Sequence, residues 1–160
     1  MSTRLVILAA FLLAGTSAAS AAPNPARDRT IFSCKLPGGK IATVKANGGQ
    51  FTYRYGTARK AELTIVGSAT SKNLFKLAAV HGGDTDIQLR FVKGDVSYIV
   101  HSFPRNDIVD NQPVSGLRVF RGGKRILDRD CRPWAALNVG DFEEMYELPD
   151  SPEGAPSAWE

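Results

Sequence analysis

The two cysteines carry the most reactive side chains of this chain, and their context predicts a disulfide. Cys34 and Cys131 are 97 positions apart and bracket nearly all of the strand-like sequence. A catalytic cysteine needs a thiolate beside a base, whereas two cysteines in an exported chain most often pair in the oxidising compartment. In the chain-entropy model, closing a loop of that size stabilises a fold by roughly 4–5 kcal/mol. We therefore expect a Cys34–Cys131 disulfide and no thiol chemistry.

The chain has two histidines, His81 and His101, and one of them stands near two carboxylates. The stretch His81-Gly-Gly-Asp84-Thr-Asp86 brings three candidate metal ligands together. A stable metal site usually takes three or four converging ligands, and glycine next to aspartate is ordinary turn chemistry. We predict a turn here, with no metal site and no cofactor.

Serine, histidine and aspartate also occur close enough in sequence to suggest a hydrolase triad. Ser102 or Ser115 would be the nucleophile, His101 the base, and Asp107 or Asp110 the orienting acid. The chain lacks the G-x-S-x-G nucleophile elbow, and adjacent residues of a strand, such as His101 and Ser102, point to opposite faces. We therefore expect a protein that is not an enzyme.

Charge is distributed very unevenly along the chain. From residue 22 to residue 132 there are 19 Lys and Arg against 9 Asp and Glu, whereas residues 133–160 contain seven acidic and no basic residues. This split predicts a basic domain that carries an acidic tail. The basic strand positions Arg54, Arg90, Arg118 and Arg121 are candidates for binding an anionic polymer of the cell envelope. Export argues against nucleic acid as the partner.

The first 21 residues have the order of a secretory signal peptide. Arg4 provides a positive start, residues 5–15 form an apolar run of 11, and Ala19-Ser20-Ala21 matches an A-x-A cleavage site. Eleven apolar residues are too few for a bilayer span, which needs about 20 in a helix. We predict cleavage after Ala21, a periplasmic or secreted protein without a membrane span, and a disordered lead over residues 22–29.

Strand-like runs then follow one another about every ten residues, from residue 30 to residue 132. Phe51, Tyr53 and Tyr55 alternate with polar residues, which is the period of a strand with one apolar face. Glycine pairs separate several runs, and Gly122-Gly123 is typical of a two-residue hairpin turn. Eight or nine such strands predict a mainly all-β domain, an antiparallel meander closed as a small barrel or a sandwich.

After Cys131 the pattern changes to a segment, residues 133–149, that contains a short helix. Phe142, Met145 and Tyr146 form a one-sided stripe at helical spacing within residues 141–148. We expect this stripe to dock on the protein's own core. Residues 150–160 are predicted to be a disordered acidic tail.

From Phe32 to Arg132 the chain resembles a group of uncharacterised exported bacterial β-proteins. The resemblance is carried by an early cysteine in IFSCK, an aromatic strand followed by glycine in FTYRYG, and a late GGKRILDRDC stretch. It implies a β fold and no particular activity.

A second, weaker resemblance is to the periplasmic lysozyme inhibitors, small β-proteins whose inhibitory loop carries an SGxxY pattern. Ser115-Gly116-Leu117-Arg118-Val119 supplies the serine and the glycine, with Val119 at the tyrosine position. The resemblance implies that Ser115, Gly116 and Arg118 contact a cell-wall hydrolase, with Arg105 at the start of the preceding loop.

The leading functional prediction is therefore a non-enzymatic periplasmic or secreted binding protein, in its most specific form an inhibitor of a cell-wall hydrolase. The first alternative is a protein that binds an anionic envelope polymer through a basic sheet face. The second is a structural or assembly factor that engages another envelope protein through its acidic tail.

Overall fold

The computed structural model describes residues 28–81, 84–104, 112–138 and 143–152. The predicted signal peptide, residues 22–27 of the predicted lead and residues 153–160 of the predicted tail lie outside the described residues. Arg29, at the end of the predicted lead, already belongs to the first strand.

Nine strands follow one another along the chain, and each hydrogen-bonded pair is antiparallel. They are β1 Arg29–Leu36, β2 Lys40–Asn47, β3 Gln50–Gly56, β4 Ala61–Ser68, β5 Leu74–His81, β6 Asp84–Lys93, β7 Val96–Phe103, β8 Val114–Arg121 and β9 Lys124–Asp130. The mainly β fold and its antiparallel strands are confirmed. The strands form a four-stranded sheet, β1 to β4, and a five-stranded sheet, β5 to β9, and the described residues do not form a closed barrel.

Glycine pairs set two of the hairpins. Gly48 and Gly49 have φ of 56° and 78° between β2 and β3, and Gly122 and Gly123 have φ of 54° and 80° between β8 and β9. Positive φ at both central positions matches the right-handed twist of the flanking strands, and only glycine adopts it at little cost. The predicted Gly122-Gly123 hairpin is confirmed by the pairing of Arg121 with Lys124.

The two sheets share one apolar core. The Tyr53 ring, on β3, lies 5.4 Å from the ring of Phe91 and 5.7 Å from that of Tyr98, which belong to β6 and β7. Successive side chains of a strand point to opposite faces of its sheet. We call the face of each sheet that points away from these rings its outer face.

The residues after the last strand cover two sheet edges. Backbone N–H groups of Arg132 and Asn138 donate to the carbonyls of Lys35 (3.1 Å) and Ile31 (2.8 Å) on β1. Farther on, the N–H of Lys76 donates to Pro149, and the carbonyl of Lys76 accepts from Ser151, at the edge of β5. Unpaired edges invite association with other chains, and this C-terminal segment, residues 131–152, protects both.

The C-terminal segment also contributes side chains to the core. One of them is Met145, which the apolar stripe predicts to dock there. Leu137, Met145 and Leu148 are buried in the shared core, but Tyr146 is 67% exposed, so its predicted place in the docked stripe is wrong. A helix over residues 141–148 is not shown; the described residues there contain one helical turn, Glu143–Tyr146. Phe142 lies outside the described residues.

Within the described ranges, none of the helices has the length and apolar character required to cross a bilayer.

Replacing Met145 by alanine tests whether this segment is part of the fold. Because the side chain is buried, we expect Met145→Ala to lower the free energy of unfolding by about 2–5 kcal/mol. The matched control, Tyr146→Ala, removes an exposed side chain and should change it by less than about 0.5 kcal/mol. Urea unfolding of the oxidised protein measures both; equal effects of the two substitutions would contradict the packing described above.

Candidate functional site

The predicted disulfide is confirmed, and it joins the first strand to the residue after the last one. Cys34 and Cys131 are bonded, with 5.0 Å between their Cα atoms. Cys34 lies between Ser33 and Lys35 on β1, and Cys131 opens the C-terminal segment. The bond therefore fixes the start of that segment against the edge of β1.

A groove opens between β1 and the C-terminal segment. The segment is hydrogen-bonded to β1 at Arg132 and again at Asn138, and the residues between these two contacts leave a groove of about 280 Å³. We call it the edge groove. Its walls are Thr30, Ile31, Phe32, Ser33 and Lys35 on one side and Pro133, Trp134, Ala135, Ala136 and Asn138 on the other.

The edge groove combines an aromatic surface, a cation and polar backbone groups. Trp134 is 40% exposed although it lines the groove, and Lys35 is exposed on the opposite wall. The carbonyl of Lys35 points away from β2, since it accepts from Arg132. Backbone groups of a strand alternate in direction with period two, so the N–H and C=O of Ser33 point into the groove as well.

The outer face of the four-stranded sheet begins at the same residues. Ser33 pairs with Thr43, Thr43 with Arg54, and Arg54 with Thr64, which makes one row of polar side chains across all four strands. We call it the cross-strand row. By strand alternation, the same outer face carries Lys35, Lys45 and Thr52.

This face has more positive than negative charge. Asp28 pairs with Lys45 at 3.3 Å, and Glu62 pairs with Lys40. Among the described residues, no carboxylate pairs with Lys35 or with Arg54. Lys35 is exposed, whereas Arg54 is half-buried and its Nη2 donates to the carbonyl of Thr57 at 3.4 Å. Such cations beside a row of hydroxyl groups can hydrogen-bond and ion-pair with a ligand that carries both hydroxyls and anionic groups.

The structure divides the four arginines of the predicted basic face among different surfaces. Arg54 lies on the outer face of the four-stranded sheet, whereas Arg90 and Arg118 lie on the outer face of the five-stranded sheet. Arg121 is exposed at the end of β8, 3.9 Å from Asp95. The sequence analysis missed Lys35 and Lys45 as neighbours of Arg54, although their strand positions place all three on one face once the register is known.

The three residues assigned to a target contact are buried in this structure. Ser115 is 2% exposed; its Oγ accepts from the N–H of Ala135 at 2.8 Å, and its carbonyl accepts from the N–H of Cys131 at 2.8 Å. Ser115 therefore supports the wall of the edge groove that contains Ala135. Arg118 is 7% exposed, and Arg105 lies outside the described residues.

Gly116 has a packing reason to be glycine. A Cβ atom there would lie 2.8 Å from Cε1 of His101 and closer still to the backbone oxygen of Arg129. Both neighbours are fixed in the sheet, so the imidazole occupies the space that any side chain at position 116 would need. The Ser115-Gly116 pair thus reflects the packing of β8 against His101.

His101 is fully buried on the outer face of the five-stranded sheet. Its ring lies 5.1 Å from that of Phe103, and neither ring nitrogen has a hydrogen-bond partner among the described residues. Burial, and secondarily the positive charge of Arg118, lower the pKa of His101 to about 3. His101 and Ser102 lie on opposite faces of β7, and Asp107 and Asp110 lie outside the described residues.

In the segment considered for a metal site, the antiparallel ladder of β5 and β6 pairs His81 with Asp84 and Ala79 with Asp86. In the part of the chain that the structure describes, no group of three or more His, Cys, Asp or Glu residues is placed to hold a metal ion.

No family model, curated protein or solved structure matches this chain. The resemblances to exported bacterial β-proteins and to lysozyme inhibitors therefore stay predictions.

Burial of a neutral histidine predicts that acid destabilises the protein before its carboxylates titrate. In the unfolded chain the pKa of histidine is about 6.5. Between that pH and the folded pKa, the unfolded state binds more protons than the folded state. The free energy of unfolding therefore decreases as the pH is lowered through this range. From pH 6.5 to pH 5 we expect a loss of about 1.6 kcal/mol attributable to His101. Urea unfolding at several pH values measures it.

The substitution His101→Gln should remove this part of the pH dependence, whereas His81→Gln should keep it. An unchanged slope between pH 6.5 and pH 5 in His101→Gln would show that the imidazole does not carry the effect.

Proposed function

We propose that this protein is a non-enzymatic binding protein of the cell envelope, and that it holds an anionic polysaccharide on the outer face of its four-stranded sheet. The observation that carries the proposal is the continuity of the cross-strand row with the edge groove through Ser33 and Lys35. One surface thus offers hydroxyl groups, two cations that no described carboxylate pairs with, and an exposed tryptophan.

Each of these groups matches one part of an acidic sugar. The indole of Trp134 presents a rigid apolar face, which suits the C–H-rich side of a sugar ring. Lys35 and Arg54 supply cations for carboxylate or sulfate groups. Ser33, Thr43 and Thr64 supply hydroxyls that donate to and accept from sugar hydroxyls.

The shape of the surface favours a polymer over a single small molecule. Neighbouring strands are about 4.8 Å apart, so a row across four strands is about 14 Å long, and the edge groove extends it past β1. A ligand that contacts both the row and Trp134 must be elongated.

This function requires a protein outside the cytoplasm, and the Cys34–Cys131 disulfide is compatible with that location. Such bonds persist in oxidising compartments, as expected for a protein exported to the periplasm or secreted after cleavage of the predicted signal peptide.

The other two hypotheses have less support from the described surface. A hydrolase inhibitor that used Ser115, Gly116 and Arg118 would have to present residues that are buried here. For an assembly factor that used the acidic segment, described residues of that segment are already engaged by this domain: Asn138 is hydrogen-bonded to β1, and Pro149 and Ser151 are hydrogen-bonded to β5.

Polygalacturonate, a polymer of acidic sugar residues, is a suitable probe, with neutral dextran as the polymer control. We expect the protein to bind polygalacturonate and to lose affinity as salt is raised, since exposed charge pairs are screened. Trp134→Ala and Lys35→Gln should each weaken binding by about tenfold, which corresponds to about 1.4 kcal/mol.

The matched control is Ile126→Ala, which removes an exposed apolar side chain on β9, outside the proposed surface. Calorimetric titration measures all four proteins. Equal affinity of Trp134→Ala and the parent protein, or equal binding of dextran and polygalacturonate, would refute the proposed surface.

A further inference from the structure

Two backbone hydrogen bonds tie the C-terminal segment to β1, and the edge groove lies between them. The N–H of Arg132 donates to the Lys35 carbonyl, and the N–H of Asn138 donates to the Ile31 carbonyl. Between these two bonds the strand covers four residue positions and the segment covers six. Because the segment is longer by two residues, it bows away from β1 midway between the bonds.

Ser33 lies opposite this bow, and its backbone groups face the groove. Outward-pointing backbone groups of an edge strand recur at every second residue, here at Ile31, Ser33 and Lys35. Within the described ranges, the segment makes no backbone hydrogen bond to Ser33. At both flanking positions the partner of β1 is a backbone amide, so the position between them is suited to one more amide group.

The opposite wall of the edge groove offers an apolar surface at the same place. Trp134 is exposed, Ala135 and Ala136 are half-buried, and all three line the groove. The N–H of Ala135 donates to Ser115 Oγ at 2.8 Å, which fixes this wall against β8. A methyl group of a ligand would be removed from water here, against the indole and the two alanine side chains.

We propose, on the basis of the function proposed above, that the edge groove binds the N-acyl group of an amino sugar within the acidic polysaccharide. The acyl carbonyl accepts a hydrogen bond from the Ser33 N–H, in the position that a neighbouring strand would otherwise occupy. The methyl group of an N-acetyl substituent contacts the apolar wall. Lys35, two residues along β1, pairs with an acidic group of the adjoining sugar.

The size of the groove agrees with this occupant. An acetamido group takes up roughly the space of four water molecules, each about 30 Å³. The groove of about 280 Å³ therefore holds it together with part of the sugar ring. A hydroxyl group would also reach the Ser33 N–H, but it brings no methyl group to the apolar wall.

Hyaluronan hexasaccharide and trigalacturonate are the two probes, because they carry the same number of carboxylates and only hyaluronan has N-acetyl groups. Ser33→Pro removes the backbone N–H, and proline is accepted where the N–H of an edge strand faces away from the sheet. The matched control, Ser33→Ala, keeps the N–H; both variants lack the hydroxyl. Urea unfolding checks that both are folded.

We expect Ser33→Pro to bind hyaluronan about tenfold more weakly than Ser33→Ala does, since one hydrogen bond and its acceptor's hydration are lost. Their affinities for trigalacturonate should agree within about twofold. The comparison of two variants on each probe cancels the difference in length between the probes. Calorimetric titration measures the four affinities.

Hydrogen exchange of the Ser33 amide in the parent protein tests the same contact without a substitution. Saturating hyaluronan should slow exchange by about tenfold, because an amide held in a hydrogen bond exchanges only when that bond opens. Saturating trigalacturonate should change the rate by less than about twofold. This measurement decides the matter even if Ser33→Pro fails to fold.

Equal protection of the Ser33 amide by the two probes, or equal hyaluronan affinity of the two folded variants, would overturn the N-acyl assignment; the proposed function would still stand if trigalacturonate binds. Equal protection by a blocked trialanine peptide would identify an added peptide strand as the occupant and would also overturn it. If none of the acidic polymers binds, the proposed function is wrong, and the N-acyl assignment fails with it.

Discussion

The Cys34–Cys131 disulfide is the constraint on which both the fold and the candidate site depend. It joins β1, the edge of one sheet, to the residue that follows β9, the edge of the other. Ser33 and Lys35 of one wall of the edge groove flank Cys34 in sequence, and Trp134 of the other wall follows Cys131 by three residues. One covalent bond thus closes a loop of most of the domain and positions the two sides of the groove.

The C-terminal segment then acts as part of the sheet architecture. A meander divided into two sheets leaves edge strands, and β1 and β5 are both edges here. Backbone hydrogen bonds to Lys35, Ile31 and Lys76 cover them, and Ser115 secures the intervening turn through Ala135. Because the segment covers the β1 edge without continuous pairing, the edge groove is a consequence of how that edge is protected.

Local sequence signals were enough for the hairpins and the disulfide, but not for how the sheets divide. Glycine pairs and alternation depend on residues close in sequence, and they predict the meander. The two-sheet arrangement depends on packing between residues far apart in sequence, such as the Tyr53 ring of one sheet against Phe91 and Tyr98 of the other. The predicted Tyr146 contact is wrong, since that side chain is 67% exposed.

The candidate site was harder to predict for a related reason. Alternation places Arg118 on the face opposite the shared core, but its burial depends on a second covered surface that no local pattern reveals. Trp134 lies in a segment without periodicity, and its place in the edge groove is evident only once the disulfide brings that segment beside Lys35. Arg54 was identified, whereas its partners on the same face required the strand register.

The most direct measurement for the central claim, that an acidic sugar chain binds where β1, the disulfide and the C-terminal segment meet, is an NMR titration with trigalacturonate. Under this account, the signals of Ser33, Lys35, Arg54 and the Trp134 indole shift together and saturate with one dissociation constant. Shifts confined to the five-stranded sheet, or none at millimolar ligand, would contradict it.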